Sequence, residues 1–361
     1  MKKTTTFTIL LSFAIMLSAC AMQPPRVPTK NVTPQIATEV TLVTHDSFEA
    51  SEDVMKQFEA EHGIKINILK SGDAGEMLNL LLLSKDAPLG DVVYGIDNTF
   101  LSRALKGNIF STYEASALAD IPDDLKLDSS NQLLPVDFGY VTINYDINWF
   151  AENGVTPPTD IYDLIKPAYR NLTVVENPAT SSPGLAFLIL SIGRFGEEGE
   201  YTYQDYWRDL KNNGVLVADG WSSAYFGQFT VGSGGEGDRP IVVSYATSPA
   251  AEVFFNDLDE PPSASVNTPG NSFRQIEFVG ILTNAPHPHA ARKLVDFLLS
   301  PTFQEDIPQH MWVYPANSKA DVGELFKQWA EIPVAPVQIA PEVIATRREA
   351  WLEVWTDIML R

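Results

Sequence analysis

Residues 91–98, Asp91-Val92-Val93-Tyr94-Gly95-Ile96-Asp97-Asn98, set a short apolar run between acids. A run this short, with β-branched and aromatic side chains and no helical spacing, reads as a strand buried on both faces. Working back from it, 77–83 reads as part of a helix, 64–69 as a strand, 52–61 as a helix and 40–44 as a strand. That alternation predicts βαβ units on a mostly parallel sheet. Working forward, 134–145 is a long extended stretch, and a second alternating set follows: strand 172–175, helices 185–194 and 204–212, strand 215–218, helix 223–229 and strand 241–245. Residues 274–283 are again extended, and helices are expected at 289–299 and 341–361. In the last helix Trp351 and Trp355 lie four apart and share one face, which suits packing against the body of the protein. Two α/β lobes account for this pattern, and no repeat of fixed period is present.

The 361 residues carry 46 acids against 25 bases, a formal net charge of −21. Such a charge argues against nucleic acid, whose phosphates need a basic surface. It suits a neutral or cationic ligand only weakly, because net charge speaks to solubility and steering. Cysteine occurs once, as Cys20, so neither an internal disulfide nor a multi-thiolate metal site can form. A short cationic start is followed by an apolar run at 7–17, about half the length of a membrane-spanning helix. The run ends in Leu17-Ser18-Ala19-Cys20, which resembles a bacterial lipobox. Residues 1–19 are thus expected to be a lipoprotein signal and Cys20 a lipidated N-terminus, with 20–38, holding Pro24, Pro25, Pro28 and Pro34, as a flexible tether.

Few motifs carry chemistry. Gly232-Ser233-Gly234-Gly235-Glu236-Gly237 fits G-x-G-x-x-G, yet it precedes a strand where a dinucleotide fingerprint must open a helix, so it reads as a loop. His287 and His289 flank Pro288 without a nearby acid in sequence and read as a helix-entry turn; no metal site is expected. Thr180-Ser181-Ser182-Pro183-Gly184 puts hydroxyls and a proline at a helix start, which caps the helix and also presents N–H groups to a hydroxyl or phosphate. Asp73 sits in the turn after the second strand, where α/β sheets present ligand sites; capping is the alternative role. Aromatics at Gly220-Trp221-Ser222-Ser223-Ala224-Tyr225, at Ser244-Tyr245-Ala246-Thr247-Ser248-Pro249 and at Trp312 and Tyr314 fall in strand-end segments. Beside an isolated acid they suit a flat or cationic ligand.

With these motifs and with Asp46-Ser47-Phe48, residues 91–98 and Pro135-Val136-Asp137-Phe138-Gly139-Tyr140, all in order, the chain from about residue 41 onward resembles the thiamine-binding periplasmic proteins of bacterial ABC importers. The resemblance implies an α/β, two-lobe periplasmic-binding-protein fold of type II with the ligand in the inter-lobe cleft. Lobe 1 is then expected at 39–140, lobe 2 at 141–265, and a return to lobe 1 at 266–361. It implies a monomer outside the cytoplasm that serves an ABC permease and ATPase, takes thiamine, thiamine monophosphate or thiamine diphosphate, and needs no cofactor. It carries ligand contacts onto His45, Asp73, Ala74, Ser181, Ser182, Trp221, Tyr245, Ala246, Thr247, Ser248, Pro249 and Trp312. Aromatics then face the thiazolium and pyrimidine rings, Asp73 the amino group, and the seryl helix start the hydroxyethyl or phosphate arm.

Three positions depart from the family pattern. His45 stands where the familiar motif has tyrosine, residues 49–54 lack a tryptophan, and Ala250-Ala251 lacks a tyrosine. The aromatic cage is thinner, which leaves open a thiamine-related pyrimidine or another cation. A polyamine receptor would use Asp73, Asp97 and Asp137, whereas a ferric receptor normally uses adjacent tyrosines, which Tyr245-Ala246 does not supply. A thiaminase-like enzyme of the same fold needs a cysteine in the cleft, and the one cysteine here is in the lipobox.

Overall fold

The computed structural model describes residues 38–361 apart from Ser233, and the signal, Cys20 and nearly all of the tether lie outside them. In chain order the strands are β1 (Glu39–Thr44), β2 (Lys65–Lys70), β3 (Val92–Asp97), β4 (Phe110–Ser111), β5 (Leu134–Asp146), β6 (Thr173–Glu176), β7 (Leu216–Ala218), β8 (Ile241–Tyr245), β9 (Ser263–Ser265), β10 (Phe273–Leu282) and β11 (Tyr314–Pro315). The helices are α1 (Glu52–His62), α2 (Ala74–Leu83), α3 (Leu101–Lys106), α4 (Ile147–Asn153), α5 (Ser182–Phe195), α6 (Tyr203–Asn212), α7 (Trp221–Tyr225), α8 (Ser248–Asn256), α9 (Pro288–Leu298), α10 (Pro301–Gln304), α11 (Ile307–His310), α12 (Glu324–Trp329) and α13 (Pro341–Met359). No helix among the described residues is long and apolar enough to cross a membrane.

The strands form one sheet in the order β2-β1-β3-β10-β5-β8-β6-β7, with β4 on β10 and both β9 and β11 on β5. β2, β1 and β3 are mutually parallel, and so are β8, β6 and β7, which gives each wing the βαβ pattern expected from the alternation. The centre differs from the expected mostly parallel sheet. β10 is antiparallel to β3 and β5, and β5 is antiparallel to β8. Alternating short elements mark where crossover helices lie; they do not say which long strands meet. β5, at 13 residues, pairs with β10 at one end and with β8 and β9 at the other, so it belongs to both wings.

β10 meets an irregularity on each side. On β5 Val136 is the extra residue opposite the step from Glu277 to Phe278, and on β3 Gly95 is the extra residue opposite the step from Phe278 to Val279. Bulges of this kind bend strands and re-aim side chains. Gly95 has φ +100°, and a Cβ there would stand 2.2 Å from His45 Cδ2, so glycine is what lets the imidazole lie against β3.

Helices cover the sheet because their apolar faces require it. β3 is buried along its whole length, as its sequence demands. α5 is buried from Ser182 through Ile192 and forms a core helix rather than a surface one. Trp351 and Trp355 of α13 are both buried, and Trp355 meets Trp207 of α6 edge to face at 5.6 Å. Burial of a large apolar side chain contributes about 1.5–3 kcal/mol. Several helix boundaries differ from expectation, among them the start of α5 at Ser182 rather than 185. α7 begins at Trp221 rather than 223 and ends at Tyr225 rather than 229, and the segment expected as a strand-end loop through Pro249 turns into α8 at Ser248. Pro249 lies in the first turn of α8, where a missing N–H costs nothing.

Candidate functional site

The two wings approach each other where α2, α5 and α7 begin. Gly75 N–H, in the first turn of α2, donates to Thr180 O at 2.9 Å. A Cβ on Gly75 would fall 2.6 Å from that oxygen, so only glycine allows the approach. Asp73 caps α2 by accepting from Ala74 N at 2.7 Å, and its carboxylate also reaches the other wing. Oδ2 accepts from Trp221 N at 3.1 Å and Oδ1 from Ser182 N at 3.4 Å. Ser47 and Ser222 hydroxyls meet nearby at 3.2 Å. Asp73 is thus a clasp between helix starts, and burial raises its carboxyl above the ordinary value although these donors favour the charge.

Beneath this contact lies a cavity of about 500 Å³. Its aromatic wall is held from several directions. Trp221 stacks on Tyr225 at 4.9 Å and 18°, and its Nε1 donates to Ser244 Oγ at 2.9 Å, which in turn meets Ser248 Oγ at 2.9 Å. Opposite, Trp312 packs against Phe254 and Phe255 at 5.4 and 5.5 Å. Its backbone has φ +57°, a left-handed conformation unusual for a bulky residue. Thr247 Oγ1 donates to its carbonyl, and Trp312 N donates to Ile307 O at 3.2 Å. Trp312 Nε1 is buried without a partner.

The floor is acidic. Tyr245 OH donates to Gln275 Oε1 at 3.1 Å, and Gln275 Nε2 donates to Glu277 Oε1 at 3.2 Å. His45 Nε2 stands 3.5 Å from Glu277 Oε2. Burial lowers the His45 pKa, but Glu277, Asp73 and Asp46 outweigh it, so the imidazole is held above its usual value. Burial pushes Glu252, which accepts from the Tyr225 and Ser263 hydroxyls, up to about 7. Six carboxylic residues line the cavity, counting Asp46, Glu49 and Glu252 with Asp73, Asp137 and Glu277; the lining described contains neither lysine nor arginine. A cation gains from such a lining.

Of the residues expected at the site, His45, Asp73, Ala74 and Ser182 line the cavity, as do Trp221, Tyr245, Ser248 and Trp312. Ser181, Ala246, Thr247 and Pro249 are absent from the lining, and each has a structural place. Ser181 precedes α5, fully buried, and makes no capping bond, in contrast to the hydroxyl cap expected there. Ala246 N donates to Tyr140 O, Thr247 holds the Trp312 carbonyl, and Pro249 starts α8. Asp73, expected to meet a ligand amino group, lines the cavity, and its oxygens also accept from main-chain donors. His287, expected to lack an acid, has one in space: its Nδ1 lies 3.2 Å from Asp91 Oδ2. No cluster of three or more His, Cys, Asp or Glu among the described residues is placed to hold a metal ion.

Sequence reasoning missed Gln275, Glu277, Phe255, His310 and Met311 in the lining. A signal for the first two exists: in Gln275-Ile276-Glu277-Phe278 polar side chains alternate with apolar ones inside a buried strand, and such polar groups need a reason to be there.

The family model for bacterial extracellular solute-binding proteins matches residues 87–338. The thiamine-binding periplasmic protein of Escherichia coli (strain K12) is 30% identical over 328 residues, 89% of this chain and 94% of that protein. Its Salmonella typhimurium counterpart of the same name is 29% identical over 327 residues, again 89% and 94%. Among solved structures, a periplasmic thiamin binding protein superposes with a TM-score of 0.76 at 27% identity, covering 90% of this chain and 96% of that one.

Proposed function

This chain belongs to the bacterial extracellular solute-binding proteins, of the two-lobe type II fold, and from that premise we propose that it captures thiamine outside the cytoplasm and delivers it to an ABC importer. The observation that carries the proposal is a 500 Å³ cavity between the wings, walled by Trp221, Tyr245 and Trp312 and floored by carboxylates. Thiamine is a monocation with two flat rings, and both features match that lining. In this reading the rings lie against the aromatics, His45 and Ala74 complete the wall, and the hydroxyethyl arm points to the start of α5. Ser182, in the first turn of that helix, lines the cavity, which supports acceptance of the monophosphate and diphosphate as well. Asp73 holds the wings together above the ligand.

The named relatives are solute-binding proteins rather than enzymes, and no catalytic step is assigned. The remainder of the reading is a monomer, with 39–140 and 266–361 as one lobe and 141–265 as the other. It is tethered to a membrane through lipidated Cys20 and docks on a permease driven by its ATPase. Calorimetry with thiamine, its monophosphate and its diphosphate tests the capture. Binding of at least one in the micromolar range or tighter, with quenched tryptophan fluorescence, is expected. Trp221→Ala is expected to weaken it at least tenfold, about 1.4 kcal/mol. Absence of heat and of quenching with all three overturns the proposal.

A further inference from the structure

β10 lies between β3 and β5, and Glu277 is directly opposite Asp97 on one side and Asp137 on the other. Residues directly opposite across antiparallel strands share a face at about 4.5–5.5 Å between Cβ atoms, and like charges there oppose one another. Three carboxyl side chains therefore form a row across the centre of the sheet, where the bulges at Gly95 and Val136 flank Glu277. Asp97 is engaged at one end: its Oδ1 accepts from Thr99 N, Thr99 Oγ1 and Phe100 N. The other two border the cavity. Asp137 is fully buried, its Oδ2 accepts from Tyr94 OH, and its Oδ1 has no partner. Glu277 is 7% exposed, its Oε1 accepts from Gln275, and its Oε2 has one long contact, to His45 Nε2 at 3.5 Å. Buried polar atoms are normally paired, so an unpartnered Asp137 Oδ1 beside a Glu277 Oε2 with one long contact points to a ligand with complementary groups.

We propose that Asp137 and Glu277 form the subsite that reads the amino-bearing edge of a heteroaromatic ring, so that the cavity prefers a 4-aminopyrimidine to its 4-oxo counterpart. This rests on the thiamine reading of the cavity. Burial and the neighbouring Glu277 hold Asp137 well above the ordinary carboxyl range. With the proton so retained on Asp137 Oδ1, a donor stands next to the accepting Oε2 of Glu277. The edge of a 4-aminopyrimidine offers the complement: a ring nitrogen that accepts and an exocyclic amine that donates. In the 4-oxo ring the exocyclic group accepts and the ring nitrogen carries the hydrogen, so both contacts are mismatched. Analogues that leave buried polar groups unpaired are rejected far more strongly than those that lose only apolar contact. Gln275 and Tyr245 position Glu277 through the chain of hydrogen bonds, and Tyr94 positions Asp137.

The experiment is calorimetry on the full chain with thiamine and with oxythiamine, in which the 4-amino group is replaced by oxygen. Wild type is expected to prefer thiamine at least tenfold. Glu277→Gln and Asp137→Asn are each expected to weaken thiamine at least tenfold and to bring the two ligands within threefold of each other, with circular dichroism and melting checked in parallel. Wild type that binds both ligands equally overturns the subsite and leaves thiamine capture standing, and this holds even where a variant fails to fold. A folded Glu277→Gln that keeps the wild-type ratio also overturns it. Wild type that binds neither ligand overturns both readings.

Discussion

Asp73→Asn isolates the clasp between the wings. The carboxylate spans from its own helix start to Trp221 N at 3.1 Å and, more loosely, to Ser182 N at 3.4 Å. Asparagine keeps the shape and one oxygen, which can still cap Ala74. Its amide nitrogen replaces the oxygen that accepted from Trp221, so a donor meets a donor. A hydrogen bond to a charged group is worth about 1.5–3 kcal/mol, and the abandoned N–H is part-buried. Ligand binds the closed arrangement, so the closure term enters the dissociation constant in full when the free protein is mostly open. At 1.4 kcal/mol per decade the expected loss is roughly 10- to 150-fold. Because the clasp acts through closure, thiamine and its esters are expected to lose affinity by a common factor. Calorimetry measures that factor, and amide hydrogen exchange reports whether Trp221 and Ser182 lose protection. A folded variant within threefold of wild type for every ligand, with unchanged exchange, refutes the reasoning; a loss confined to one ligand assigns Asp73 to direct contact instead.

Glu252 and His45 give two further expectations. Glu252 is raised from 4.5 to about 7 by burial. The folded state therefore binds more protons between those values, and stability falls as pH rises from about 4.5 to 7, then levels off. Glu252→Gln is expected to flatten that fall and to stabilise the protein at pH 8 by up to about 3 kcal/mol, measured by urea denaturation at pH 5 and 8; equal pH dependence in the two proteins counts against it. His45 is held above its usual 6.5, so acidification adds a positive charge beside the ligand. Affinity for thiamine is expected to weaken from pH 8 to pH 6.5 more steeply in wild type than in His45→Gln, and parallel calorimetric profiles contradict this.

The strand and helix alternation was legible because each segment carries its own period. β1, α1, β2 and β8 lie within a residue or two of expectation. The short strands β4, β9 and β11 were not legible, since two or three residues hold no period and exist only by pairing with β5 and β10. α8 was missed because Ser-Pro closing a strand reads equally as a loop; only the packing of Ala250 and Val253 settles it. At the site, aromatics and helix-start residues stood out by type and position. Glu277 did not, because its significance lies in register: nothing local to residues 273–282 says that Asp97 and Asp137 lie on either side. Asp73 was placed correctly in its turn, while its engagement by Trp221, distant in sequence, depends on the meeting of two wings.

The long β5 and β10 strands at the centre of the sheet divide the cavity into a part that stays and parts that travel. Glu277 and Asp137 sit on those two strands, close to any pivot between the wings, whereas Trp221 rides on α7 and Trp312 follows α11. A ligand arriving in an open cleft therefore meets a finished floor before it meets its walls. Substitutions on the central strands should alter which molecules are admitted. Those on the outlying aromatics should alter how long an admitted molecule stays. Selection and retention are then separable in time, and a stopped-flow trace with floor variants and wall variants would show them as changes in different phases.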